Sequence, residues 1–451
     1  MIHLHPTINL YYDKIVDETP IPNGVSSYDF TKDVYRIPYN KDRNHPINEV
    51  TAFYNAMKVL EVPNVNLFSG KETAKNLFYP LELGPGRKWD VDFLEIIPEK
   101  IIGKIRKGQM KLLIIAPRIS HDYYVLWKLR QRLDYMSSKG ITREMIFIVL
   151  GDLNRTYRKL FDNPNVYGID WWQIYAQISY KSRYGLKDWH WVFKEYPSSM
   201  LKEDQIEEEN FQLENWNPKR IFTALTGNTA IHNVSFISEI IYNSLDKFGE
   251  YSYNLEGYSE PKDYKDFRIT DRSVGSEYVE AKRKIISELS TVSKSIDATY
   301  DSIRKDPLRL HKSIYEDSLI NIVSGSYSPM FDKNYLDEID VISPGLGMWR
   351  QLAKGHPFMA LGCLNTMGYI SNEGYFLPTQ LTNHHYDRVA STPEKVRLMC
   401  ESIAQLSDLT SIEIKDKVTE LIPFMKKNKE KFFDKPNKRK FEKLFREMAY
   451  E

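Results

Sequence analysis

The stretch Trp349-Arg350-Gln351-Leu352-Ala353-Lys354-Gly355-His356-Pro357-Phe358-Met359-Ala360-Leu361-Gly362 decides the fold. Its first half spaces apolar residues as an amphipathic helix does. Gly355-His356-Pro357 breaks that helix, and Phe358 to Leu361 is a short apolar run of the kind that forms a buried strand. In an open α/β sheet, a helix-to-strand junction of this sort lies where ligands are often bound, at strand ends.

The same alternation recurs on both sides of it. Lys111-Leu112-Leu113-Ile114-Ile115-Ala116-Pro117 reads as a core strand, preceded by a helical segment from Lys100 to Arg106. A helix over about 121–138 follows, ended by Gly140, and Met145 to Leu150 forms the next strand. Gly151-Asp152-Leu153-Asn154 sits just beyond it, and Asn165 to Ile169 is a third strand. Continuous apolar runs separated by helices are what a parallel sheet buried on both faces requires. The pattern restarts at Arg220 to Thr226, a strand followed by the loop Gly227-Asn228-Thr229-Ala230 and a helix over about 231–246. Leu319 to Val323, Ile339 to Ile342, Phe358 to Leu361 and Gly374 to Leu377 are further strands. The predicted fold class is therefore α/β, with two Rossmann-like lobes.

A length of 451 residues is too great for one core. The charged tract Lys202 to Asn210 marks a solvated connection between lobes. The boundaries expected are an extended N-terminal arm at 1–48, a Rossmann-like lobe at 49–205 that opens with a helix over about 49–60, a second lobe at 206–420, and a basic helical tail at 421–451. The arm alternates turn residues with Tyr, Phe and Ile, and would order by wrapping a neighbour, which makes a homo-oligomer through residues 1–48 an expected partnership.

A net charge of +1 gives no global attraction to nucleic acid or to an anionic membrane. No uncharged apolar run approaches the length of a membrane span, and the first residues lack a signal-peptide pattern. Two cysteines, Cys363 and Cys400, exclude a disulfide framework and a cysteine-rich metal site. That favours a reducing interior, although an extracellular fold without disulfides fits equally. P-loop, HExxH, GxSxG and EF-hand patterns are absent, which argues against P-loop phosphoryl transfer and zinc hydrolysis. The tail concentrates cations at Lys426, Lys427, Lys429, Lys431, Lys435, Lys438, Arg439, Lys440 and Lys443, with Phe432, Phe433, Phe441 and Phe445 between them. It reads as a solvated helical face whose rings anchor it to the body, or as a phosphate-backbone contact for nucleic acid.

Over residues 110–410 the chain resembles a group of virus- and phage-like proteins with two Rossmann-like lobes, related in appearance to nucleotide-sugar glycosyltransferases of the GT-B fold. Lys111 to Leu150, Phe222 to Ser252, Trp349 to Gly362 and Gly374-Tyr375-Phe376 carry the resemblance. It implies a UDP- or GDP-sugar as substrate rather than a tightly bound cofactor. It also implies an acceptor side in the first lobe, a nucleotide-sugar side in the second, and a location in a host cytoplasm or a virion. Three positions depart from the pattern. Where such proteins carry Thr-Glu-Lys, with the glutamate on the donor ribose, this chain has Gly345-Leu346-Gly347, which leaves Arg350 and Lys354 as the nearby cations. A His-Arg pair is replaced by His232-Asn233, and an Asp-Glu pair by Asn383-His384-His385 ahead of Tyr386-Asp387.

The candidate donor-site residues are Gly227, His232, Gly345, Gly347, Arg350 and Lys354. Glycines there allow a phosphate to approach the backbone, or simply make turns. Arg350 either contacts a diphosphate from the first turn of its helix or makes an exposed or interlobe salt bridge. His232 donates to a phosphate, acts as a base, or is a satisfied buried histidine. Asp152, His121 and Asp122 are the candidate catalytic groups, since an inverting transfer needs a carboxylate or imidazole to take the acceptor's proton. Asp152 and Asp122 fit equally as caps. The adjacent His384 and His385 lack the further ligands of a structural zinc site. Two functions follow: transfer of a sugar from a nucleotide donor to an acceptor such as phage DNA, a glycan or a protein, or a non-catalytic virion or binding protein on the same framework.

Overall fold

The computed structural model describes residues 8–11, 65–68, 77–82, 93–116, 123–151, 153–154, 161–170, 211–225, 231–254, 312–324, 341–342, 344–362, 364–389, 392–433 and 436–450, with a few short pieces between them. These form an α/β fold with two separate, largely parallel sheets flanked by helices. The chain divides into two units. The first comprises Met1–Pro197, Met330–Val341 and Lys435–Glu451, and the second Ser198–Pro329 and Ile342–Asp434.

In the first unit, strands β1 (Ile8–Tyr11), β2 (Val65–Phe68), β3 (Leu77–Glu82), β4 (Lys111–Ala116), β5 (Ile146–Leu150) and β6 (Val166–Gly168) lie in the order β2-β1-β3-β4-β5-β6. All neighbours pair in parallel. Residues 112–116 and 146–150 are buried without interruption, because helices cover both faces of such a sheet and leave no position for a polar alternate. Helix α1 (Glu99–Arg106) buries Ile101, Ile102 and Ile105 on one stripe and ends at Gly108, whose φ of +67° is open to glycine. Helix α2 (Tyr123–Ser138) ends before Gly140, at φ +83°.

The segment expected to be an extended arm contributes to this core. Ile8–Tyr11 are a buried strand between β2 and β3, since Ile8 and Leu10 are apolar enough to be worth more inside the sheet than outside it. The remainder of residues 1–48, the expected helix at 49–60 and the tract 202–210 lie outside the described residues.

The second unit holds β7 (Arg220–Leu225), β8 (Gly249–Asn254), β9 (Ser293–Lys294), β10 (Ser318–Ser324) and β11 (Phe358–Leu361), in the order β9-β8-β7-β10-β11. Only β9 runs antiparallel. Helix α3 (Ile231–Tyr242) leads from β7 to β8, and α4 (Leu346–Lys354) leads into β11 on the other side of β7. Right-handed crossovers that progress in opposite directions put these helices on opposite faces of the sheet. Each has its own partner: α3 packs on α6 (Thr392–Ser407), and α4 on α7 (Ser411–Phe433).

Two expected elements differ. The helix after residue 231 stops at Tyr242, and Asp246–Phe248 form a separate short turn. Gly374 to Leu377 is not a strand. Gly374 (φ +83°) and Tyr375 donate back to Ser371 O (2.8 Å) and Ile370 O (3.2 Å), while Phe376 N donates to Asn428 Oδ1 (2.8 Å) and Asn428 Nδ2 donates back to Phe376 O (2.8 Å). The tail is helical, but it divides between units. Phe432 packs near Trp349 in the second unit, whereas α8 (Pro436–Tyr450) buries Phe441, Leu444, Phe445 and Met448 in the core of the first.

Candidate functional site at the carboxyl edge of the second sheet

From β7 the chain steps outward to β8 and β9 on one side and then returns to β10 on the other side of β7, so the strand order reverses between β7 and β10. In an open α/β sheet the crevice at the carboxyl ends of two such strands is where ligands bind. At that edge β10 ends in Val323-Ser324, and strand alternation turns the two residues to opposite faces.

The face of Ser324 meets α3. Its Oγ lies 2.9 Å from Nε2 of His232, a residue buried in the first turn of α3. The opposite face meets α4. A Cβ added to Gly347 would stand 3.5 Å from Val323 Cβ and 3.7 Å from the Ser324 carbonyl, so the first turn of α4 rests directly on the end of β10. Gly345 caps this helix with extended backbone (φ −67°, ψ 164°) and no side-chain oxygen. The first amides of α4 therefore receive no side-chain cap from Gly345, and they carry the positive end of the helix dipole.

Arg350 follows one turn later. Side chains on a helix tilt toward its amino end, so Arg350 leans back over the turn that holds Gly347. The residue is only 8% exposed, Nε is buried without a hydrogen bond, and no ion pair joins the guanidinium to any described residue. A guanidinium held largely out of water, with one buried nitrogen unpaired and no counter-charge, is costly to the fold. The adjacent Gln351 is fully buried too and accepts a hydrogen bond from Asn321 Nδ2 of β10 (2.9 Å). Helix α4 is amphipathic in its spacing, but its polar face is buried as well as its apolar one. Residues 348–354 are all buried, enclosed between the sheet and α7, and the exposed salt bridge expected for Arg350 is not made.

Lys354 does not join this group. It is buried, but it ends α4, and four residues of helical rise carry it about 6 Å beyond Arg350 toward the opposite end of the sheet. The Gly-His-Pro junction is there as well, at the amino end of β11. His356 is 2% exposed, with Nε2 shared between the carbonyls of Tyr315 (3.0 Å) and Ser318 (3.1 Å), and Phe211, Trp216 and Tyr315 ring it at 5.5 to 5.7 Å. Burial holds the imidazole down to about 4, against the pull of its carbonyl partners, so it is neutral at pH 7. The junction that decides the fold is a structural one, and the candidate edge lies at the other end of its helix.

Beyond β11, at the same edge, His384 and the Tyr386-Asp387 pair after it are committed to structure, whereas Asn383 and His385 are exposed. The Asp387 carboxylate accepts from the amides of Thr366 (3.0 Å), Met367 (2.9 Å) and Gly368 (3.2 Å), and so caps α5 (Thr366–Asn372). Burial pushes this carboxyl up, against Lys395 and the three amides. Lys395 donates to the Gly362 carbonyl (2.8 Å). Tyr386 OH accepts from Ala360 N (3.1 Å) and so satisfies an outward-facing amide of the edge strand. His384 is buried against Thr382 and Tyr386, and desolvation holds it down to about 4. Among the described residues no cluster of His, Cys, Asp and Glu could hold a metal ion, and no helix is long and apolar enough to cross a membrane.

Of the candidates read from sequence, the carboxyl edge brings together His232, Gly345, Gly347 and Arg350. His121, Asp122, Asp152 and Gly227 lie outside the described residues. Ser324 was missed because the reading stopped at the last apolar residue of its strand. In the tail, Phe441 and Phe445 are core anchors, buried and thus not available to stack bases, and Lys440 Nζ donates to Gln173 Oε1 (2.7 Å). No protein-family model, no curated protein and no solved structure matches this chain.

Proposed function

We propose that the second unit binds a phosphate-bearing ligand at its carboxyl edge, and that this ligand is the nucleotide-sugar donor of a GT-B-like sugar transferase. The largely buried side chain of Arg350, with Nε unpaired and no described counter-charge, on a helix that starts on glycine, carries the reading. A diphosphate at that edge would supply the counter-charge. Gly345 and Gly347 let it approach the backbone, and the first amides of α4 donate to it. As the bond from sugar to phosphate breaks, negative charge grows on the departing diphosphate, where Arg350 and the helix end would hold it. The acceptor's proton would pass to a base drawn from His121, Asp122 and Asp152.

Titration of the full chain with UDP- and GDP-sugars tests this. One of them should bind, and Arg350→Met should weaken that binding by roughly 100-fold, the loss of a charge-assisted contact. Absence of heat from every nucleotide sugar would contradict the proposal. A second reading, binding without turnover in a virion or assembly, is favoured by Asp387 and Lys395, whose charges hold α5 and the end of β11 in place. Release of free nucleotide from a bound donor separates the two.

A further inference from the structure

The amino end of the second sheet carries a different feature, a cavity of about 640 Å³ among the starts of β7 and β8 and the facing ends of α6 and α7. Its lining includes four cations, Lys219, Arg220, Lys247 and Lys415, against one carboxylate, Glu250, in a chain whose whole net charge is +1. The cations differ in how they are held. Arg220 forms a fixed floor: Nε donates to Thr223 Oγ1 (2.9 Å) and Ser318 Oγ (3.1 Å), Nη2 donates to the Ser313 carbonyl (3.2 Å), and Nη1 pairs with Glu250 (2.8 Å). Lys219 pairs with Asp317 at 2.9 Å and remains mostly exposed. Lys247 lies 4.9 Å from the ring centre of Phe248, and neither it nor Lys415 is paired with a described carboxylate.

Scattered surface lysines would be simply solvated. Here they converge with an immobilised guanidinium on one cavity, whose size falls within the usual range for small-ligand sites. Like charges held together raise one another's energy, and a ligand of several negative charges removes that repulsion at once. Lysine is a point-charge partner for phosphate oxygens, whatever their orientation. With Lys219 and Arg220 already paired to Asp317 and Glu250, a single anion would neutralise one of Lys247 and Lys415 and leave the other. We propose that this cavity is a second ligand site, for a compact polyanion carrying two or more phosphate groups. It is separate from the carboxyl edge, since the six residues of β7 set the two ends roughly 17 Å apart.

Calorimetric titration with inorganic tripolyphosphate at low salt tests the proposal, first on the wild-type chain and then on Arg350→Met. One equivalent should bind in Arg350→Met, whose carboxyl edge has lost its guanidinium, and at least one in the wild type. Lys247→Glu with Lys415→Glu should weaken binding tenfold or more, because two attractive charges become repulsive. Lys107→Glu with Lys427→Glu, equally exposed and equal in net charge, should leave it within about twofold. Absence of binding overturns the proposal. So does equal weakening by the two double variants, which would mean general attraction, or loss in Arg350→Met, which would place the anion at the carboxyl edge. The outcome does not depend on whether any nucleotide sugar binds.

Discussion

Gly355 shows how much one residue can fix. Its φ of +70° ends α4 in the left-handed region, and an added Cβ would meet the Met425 carbonyl of α7 at 2.7 Å. Gly355→Ala should therefore destabilise the second unit by about 2 kcal/mol or more, from backbone strain and from forced separation of α4 and α7; urea denaturation measures it. The break was legible in the sequence because glycine ahead of proline stops a helix whatever surrounds it. The role of His356 was not, since the carbonyls of Tyr315 and Ser318 reach it from far along the chain. With His384, it also sets a pH response. Both rings stay neutral in the folded chain down to about 4, while an unfolded histidine takes up its proton near 6.5. Above pH 6.5 neither ring affects stability. As pH falls from 6.5 toward 4 the unfolded chain binds protons that the folded chain refuses, so stability is lost, by up to about 3 kcal/mol per ring. Asp387, raised by burial, acts in the opposite sense, but only where carboxylates titrate. Unfolding free energies across pH 7.5 to 4.5 should thus decline, and a flat profile for the second unit would show that neither ring is excluded from protonation.

Among elements, strands with unbroken apolar runs were the most legible, for β4, β5, β7 and β10 need no alternation when both faces are covered. The short apolar piece at Gly374 to Leu377 misled because its amides bond back to the preceding turn and, at Phe376, to Asn428, 52 residues on. Helix α5 depends on a similar remote group. The Asp387 carboxylate serves three of its amides, so Asp387→Asn, with one acceptor oxygen and no charge, should cost about 1–3 kcal/mol in chemical denaturation. The terminal helix α8 follows the ordinary rule of spacing. Phe441, Leu444, Phe445 and Met448 recur at helical intervals and are buried. Phe441→Ala should destabilise the first unit by about 3–5 kcal/mol, measured as a lowered unfolding midpoint, while ligand binding by the second unit is unchanged.

At the level of the whole molecule, the sequence reveals two α/β units because each repeats strand and helix, but not that the first is assembled from three separate segments. Ile8–Tyr11 and residues 435–451 belong to it although a reading along the chain assigns them to an arm and a tail. The candidate site was partly legible for the same reason. Glycines and a cation just before a strand suggest a phosphate edge, whereas Ser324 enters only through the parallel order of β7 and β10. The central claim is that Arg350 is kept buried without a counter-charge for the sake of a ligand, at a cost to the fold. The unfolding free energy of Arg350→Met, without ligand, tests it most directly. An apolar chain of similar length removes the uncompensated charge, so the variant should be as stable as the wild type or more stable by about 1–3 kcal/mol. A loss of several kcal/mol would mean that the guanidinium is structural, and would contradict the account.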